Sequence, residues 1–138
     1  MGRILGIDYG DSRVGLALSD PTKTIASPYR TISNEGKERL LYKLNNIIIE
    51  NDIEFLVLGL PIGLNGKDTQ QTKKVREFAV AMQVIKLPIY LQDERLSSQS
   101  AAKSLREQNI KTGRNKHLVD ERAAAIFLQQ YLDYSKNK

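Results

Sequence analysis

Three features of the 138-residue chain predict an α/β fold, a mixed five-stranded sheet with helices on both faces. Three β-rich stretches come first, joined by short turns, as in an antiparallel meander. Helical and strand-like periods then alternate, as two parallel strands with crossover helices require. The apolar share of 41% suits a packed core, and the length suits one domain spanning residues 1–138.

The elements follow in order. "RILGIDYG" (3–10) and "VGLALSD" (14–20) read as strands, and "GDSR" between them is short enough to make a hairpin. "TIASPYRTIS" (24–33) reads as a third strand, placed towards an edge because Pro28 cannot donate to a ladder. From Glu35 to Asn51 the period becomes helical, with Leu40, Leu41, Leu44, Ile47 and Ile48 on one side. "EFLVLGL" (54–60) is a near-continuous apolar run, the mark of a strand buried on both faces. "PIGLNGK" follows as a loop. Asp68 is placed to cap a helix whose stripe is Val75, Phe78, Ala79 and Met82. "PIYLQ" (88–92) is the fifth strand and "DERLSS" lies at its end. Ser97 or Ser98 would cap a helix burying Ala101, Ala102 and Leu105, and a last helix runs from about His117 to Tyr134. This order is the ribonuclease H-like layout.

Composition narrows the chemistry. There is no cysteine, which excludes disulfides, thiolate metal sites and thiol nucleophiles. The balance of 21 Lys plus Arg against 16 Asp plus Glu gives +5, which favours an anionic partner such as nucleic acid. No signal-peptide pattern, myristoylation pattern or membrane-length apolar run is present, so a cytoplasmic location with no membrane partner is expected.

The acids fall in a pattern. Asp8 sits inside an apolar strand, on the face it shares with Ile4 and Gly6, near the carboxyl end where open α/β sheets bind ligands. Asp93 and Glu94 begin where "PIYLQ" stops, and if that strand is parallel to the first they reach the same edge. Asp120 leads a stripe with Ala124, Phe127 and Tyr131, so it points towards the sheet. Three carboxylates converging without a counter-charge would repel. Divalent Mg²⁺ or Mn²⁺ resolves this, because hard cations take oxygen ligands beside a substrate phosphate. Two such ions can clamp the attacking and leaving oxygens of a phosphoryl displacement. Each acid also has a plainer role: Asp8 as a turn acid, Asp93 or Glu94 as a partner of Arg95 or at a helix start, Asp120 as a cap.

"GIDYGDSRVGLALSD", "LGLPIGLNGKD", "DERLSS" and "KHLVDERAAAIFLQQYLD" resemble, in order and over nearly the whole chain, the signature blocks of the YqgF family, also called RuvX. The resemblance implies the ribonuclease H-like fold of the resolvase RuvC and a metal-dependent nuclease. The roles it implies are maturing the 5′ end of 16S ribosomal RNA, or resolving Holliday junctions in DNA. Its acids fall on Asp8, Glu94 and Asp120, as catalytic residues and metal ligands. Two departures are visible. Ser12 stands where many relatives have lysine, while Arg13 remains. Gly59 stands on the strand where RuvC-like enzymes carry an acid, so Glu94 must substitute from the neighbouring strand.

Arg13 and Arg95 are expected to assist with phosphate, and Lys111, Arg114 and Lys116 of "KTGRNK" to clamp a nucleic-acid backbone, if that stretch is not simply a solvated loop. Lys67, Lys73, Lys74 and Arg76 are expected on a water-facing side. "GLPIGLNGKD" fails the Walker pattern and reads better as a strand-to-helix turn than as an anion loop. Tyr9 either stacks on a base or packs, and His117 is read as exposed. A precursor ribosomal RNA is the first choice of substrate and a DNA junction the second. A non-catalytic nucleic-acid-binding factor is the alternative of another class, and either a monomer or a homodimer fits. "GIDYGDSRVG" is also similar to the first hairpin of sugar kinases and actin-like ATPases. Those need a second large lobe that this length does not supply.

Overall fold

The structure, a computed structural model, describes residues 2–63, 65–93 and 116–136. Strands β1 (Arg3–Tyr9), β2 (Arg13–Ser19) and β3 (Ala26–Ser33) form the meander. Helix α1 (Lys37–Glu50), strand β4 (Ile53–Leu60), helix α2 (Gln70–Ala81) with a 3₁₀ turn (Met82–Ile85), and strand β5 (Ile89–Asp93) follow. The last described helix, α3, is Lys116–Lys136. The sheet order is β3-β2-β1-β4-β5, with β1 antiparallel to β2, β2 antiparallel to β3, and β4 parallel to both β1 and β5. β3 takes one edge, as Pro28 requires, and a register shift between Leu16 and Ala17 accommodates that stretch.

Strand alternation divides the core in two. Leu5, Ile7, Leu16, Leu56 and Leu58 pack on the buried stripes of α1 and α2, including Leu44 and Phe78. Ile4, Ala17 and Val57 face the opposite way and pack on Ala124, Phe127 and Leu128 of α3. β4 is buried on both faces, which is why its sequence is continuously apolar rather than alternating. Tyr9 packs: its ring stacks on Phe78 at 4.4 Å between centroids.

The start of α2 corrects one expectation. The cap is Thr69, whose hydroxyl accepts from the Thr72 amide, while the Thr72 hydroxyl accepts from the Thr69 amide at 2.9 Å. Asp68 lies one residue too early and instead holds Arg76 through a 2.9 Å ion pair on the surface. That guanidinium, by hydrogen bonding first and charge second, keeps the Asp68 carboxyl below its usual range. Thr72 is fully buried and its hydroxyl also donates to the Pro61 carbonyl, tying the helix to the loop after β4. Thr72→Val is therefore expected to lower unfolding stability by about 1–2 kcal/mol in urea titration, through the lost cap and an unsatisfied carbonyl.

The turn after β2 is built on Asp20. Its carboxylate accepts from the amides of Thr24 and Ile25 at 2.7 and 2.8 Å and from the Thr22 hydroxyl. These bonds, that from Ile25 foremost, hold the Asp20 carboxyl far below its ordinary value. A depressed folded pKa stabilises fully above the unfolded value of about 3.9 and loses that contribution as pH falls towards the folded pKa. Asp20→Asn should thus flatten the acid limb of the melting-temperature profile below about pH 4 relative to the parent.

Candidate active site

The carboxyl ends of β1, β4 and β5 lie along one edge because the three strands are parallel. Asp8 lies there, half-buried, on the α3 side of the sheet with Ile4 and Gly6. Across the ladder it faces Gly15 of β2. On its other side, one step beyond the Ile7–Leu58 pair, comes Gly59, which in turn pairs with Gln92. The row thus runs Gly15, Asp8, Gly59, Gln92, with a carboxylate between two positions that carry no side chain.

Helix α3 brings the second acid onto this row. A Cβ at Gly15 would lie 2.3 Å from the Asp120 carbonyl oxygen and 2.9 Å from the Asp120 Cβ, so only glycine admits the helix at this depth. Gly6, Ala17, Ala123 and Ala124 continue the small-residue seam further along. Among the described residues, polar contacts at Asp120, Glu121 and Gln129 hold the helix. Glu121 accepts from the Thr31 hydroxyl at 3.0 Å. Gln129 accepts from the Ala26 amide at 2.9 Å and donates to the Thr24 carbonyl at 3.0 Å, closing backbone groups at the start of β3. Arg13, two residues before Gly15 on the same face of β2, donates from Nε to Asp120 Oδ2 at 2.8 Å.

Asp120 therefore rests on Gly15, the β2 residue that pairs with Asp8, although more than a hundred residues separate the two acids in the chain. Among the described residues no group of three potential metal ligands forms. Glu94 follows directly on Asp93, the last residue of β5, and lies outside the described residues, as do Arg95, Lys111 and Arg114. The predicted caps Ser97 and Ser98 lie outside them too. Lys116 opens α3, and its side chain and that of His117 are outside the description. The oxygen donors that the described acids Asp8 and Asp120 carry are of the kind a hard cation takes.

Sequence reasoning did not find the Arg13–Asp120 pair or the seating role of Gly15. Period-two spacing of Arg13, Gly15 and Ala17 was the available signal for the second. The loop between β4 and α2 behaves as a turn. Its Gly63 amide donates to the Lys67 carbonyl, Gly66 to the Gly63 carbonyl, and the Lys67 amide to Asn65. Lys67, Lys73, Lys74 and Arg76 are exposed, Lys74 reaching Asp11 of the β1–β2 turn at 3.1 Å. Among the described residues no helix is long and apolar enough to cross a membrane.

Comparison with known proteins agrees with this architecture. Solved structures with the same fold include the Thermus thermophilus RuvC in complex with a Holliday junction substrate. It has a TM-score of 0.61 and 15% identity, with 99% of this chain and 96% of that one covered. The fowlpox virus resolvase with Holliday junction DNA gives 0.60 at 10% identity, with coverage of 96% and 98%. Among curated sequences, a Dictyoglomus thermophilum protein is 40% identical over 134 residues, with 96% of each chain covered. One from Maridesulfovibrio salexigens is 39% identical over 131 residues, covering 94% of this chain and 97% of its own. Both bear the name "Putative pre-16S rRNA nuclease". A family model described as RuvX, Holliday junction resolvase, matches residues 2–134, and the chain belongs to that family.

Proposed function

We propose that this protein is a cytoplasmic, divalent-metal-dependent nuclease that hydrolyses phosphodiester bonds in structured nucleic acid, with the 5′ end of precursor 16S rRNA as its first substrate. The observation that supports this is that Asp120, from a remote segment, rests on Gly15, the ladder partner of Asp8 near the carboxyl end of β1. The names of the relatives support the RNA.

Asp8 and Asp120, with Glu94, would hold Mg²⁺ or Mn²⁺, which lowers the pKa of a water and stabilises the leaving 3′ oxygen. Asp8 is aimed by its strand, and Asp120 by the seam and by Arg13. Arg13, with Arg95, supplies donors to that phosphate, and Lys111, Arg114 and Lys116 supply charge along the backbone.

Cleavage of precursor 16S rRNA and of four-way DNA junctions, each with Mg²⁺, Mn²⁺ or chelator, tests the reading. Metal-dependent cutting of the RNA is expected, together with binding that weakens steeply as salt rises. Cutting of junctions alone would transfer the assignment to DNA. Metal-independent binding with no cutting of either would leave a binding factor.

A further inference from the structure

The ion pair between Arg13 and Asp120 has a consequence for how the site fills. Arg13 approaches the carboxylate through Nε, which donates to Asp120 Oδ2 at 2.8 Å. The pair is not sealed in the core: the two side chains keep 41% and 24% of their exposure, so solvent and ions reach it. Asp120 itself cannot retreat, because its backbone rests on Gly15 and the next residue is held by Thr31. Arg13 can, since its strand neighbours fix only its backbone and the guanidinium sits on a long flexible stem.

We infer that Arg13 is a resident counter-cation that a divalent metal must displace from Asp120, so that metal entry releases the guanidinium to the substrate phosphate. The inference rests on the nuclease reading given above and adds an order of events to it. Before metal arrives the guanidinium neutralises the Asp120 carboxylate at 2.8 Å. A cation that takes Asp120 replaces that neutralisation and repels Arg13. The displaced fork has the geometry for bidentate contact with a phosphate, so the charge that guarded the carboxylate becomes a substrate ligand. Arg13 thereby positions Asp120 before metal arrives and binds phosphate afterwards.

Charge and hydrogen bonding are separable in the test. Arg13→Gln keeps a donor and removes the charge, while Arg13→Lys keeps the charge. Mn²⁺ binding to the full chain, without nucleic acid, is measured by calorimetry at low and high salt. Arg13→Gln is expected to bind Mn²⁺ about five- to tenfold more tightly at low salt, because a like charge near the ion is gone. That gain should shrink at about 1 M salt, where charges are screened within about 3 Å. Arg13→Lys should stay within about twofold of the parent. In chelator, Arg13→Gln should melt below the parent, and Mn²⁺ should raise its melting temperature by more than it raises the parent's.

Equal or weaker Mn²⁺ binding by Arg13→Gln, in protein that melts cooperatively, would overturn the inference and leave the nuclease reading standing. Absence of Mn²⁺ binding in parent and variants alike would overturn both. Arg13→Gln should also lose affinity for RNA in the presence of Mn²⁺ while gaining affinity for the metal, a split that a purely structural arginine would not produce.

Discussion

Cleavage by Asp8→Asn is expected to fall by about 10³-fold in the presence of Mg²⁺, while RNA binding persists. The substitution keeps the size of the side chain and removes one oxygen and its charge from the edge where β1 ends. A metal ion contributes several kcal/mol of charge stabilisation in the transition state, and each 1.36 kcal/mol is tenfold in rate. Binding should persist because, in the proposed function, the backbone contacts are assigned to arginine and lysine rather than to Asp8. Single-turnover cleavage and a filter-binding titration on the same preparation separate the two quantities. Cleavage equal to the parent would remove Asp8 from the chemistry and return it to the role of a turn acid. Asp120→Asn should behave in the same way, with a smaller loss of stability than a truncation, since the amide still accepts from Arg13.

Gly15→Ala is the second large effect, and it needs no chemistry at the substituted residue. The added methyl would stand 2.3 Å from the Asp120 carbonyl oxygen, a backbone atom that cannot rotate away. The helix backbone at Asp120 must lift from the sheet. Overpacking of this kind costs about 1–3 kcal/mol, and a displacement of about 1 Å at a reacting group can cost 10²-fold in rate. Both losses should appear together: a lower urea midpoint and a fall in cleavage near 10²-fold, with RNA affinity little changed. Gly6→Ala is the internal comparison. Its methyl would meet the Leu128 side chain at 3.2 Å, which a shift of a few tenths of an ångström relieves. If the two variants lost stability but cleaved like the parent, the position of Asp120 would be irrelevant to the reaction.

Much of the fold was legible because its signals are local. The meander shows in turn chemistry between β-rich runs, α1 and α2 show in the 3.6-residue period, and β4 in its unbroken apolar run. Boundaries moved by a residue or two, as with α1 beginning at Lys37 rather than Glu35. The cap of α2 was read one residue early, since Asp68 and Thr69 both suit the position and the choice depends on the buried Thr72 hydroxyl reaching Pro61. The face of Asp8 followed from strand alternation alone. The direction of Asp120 followed from the apolar stripe behind it.

What the amino-acid order determined by itself was which residue types stand on which face of each element, and so which carboxylates turn inward. It also carried the family, through four blocks spread along the chain. The tertiary structure alone decided which inward residues touch. Arg13 and Asp120 are 107 positions apart, and their contact depends on the depth to which α3 sinks over Gly15. That depth is set by packing across the whole α3 face, from Ile4 to Leu128, and by the Thr31 and Gln129 hydrogen bonds. Periodicity is a property of neighbours in the chain, whereas a close approach between a helix and a sheet is a property of volumes summed over both surfaces.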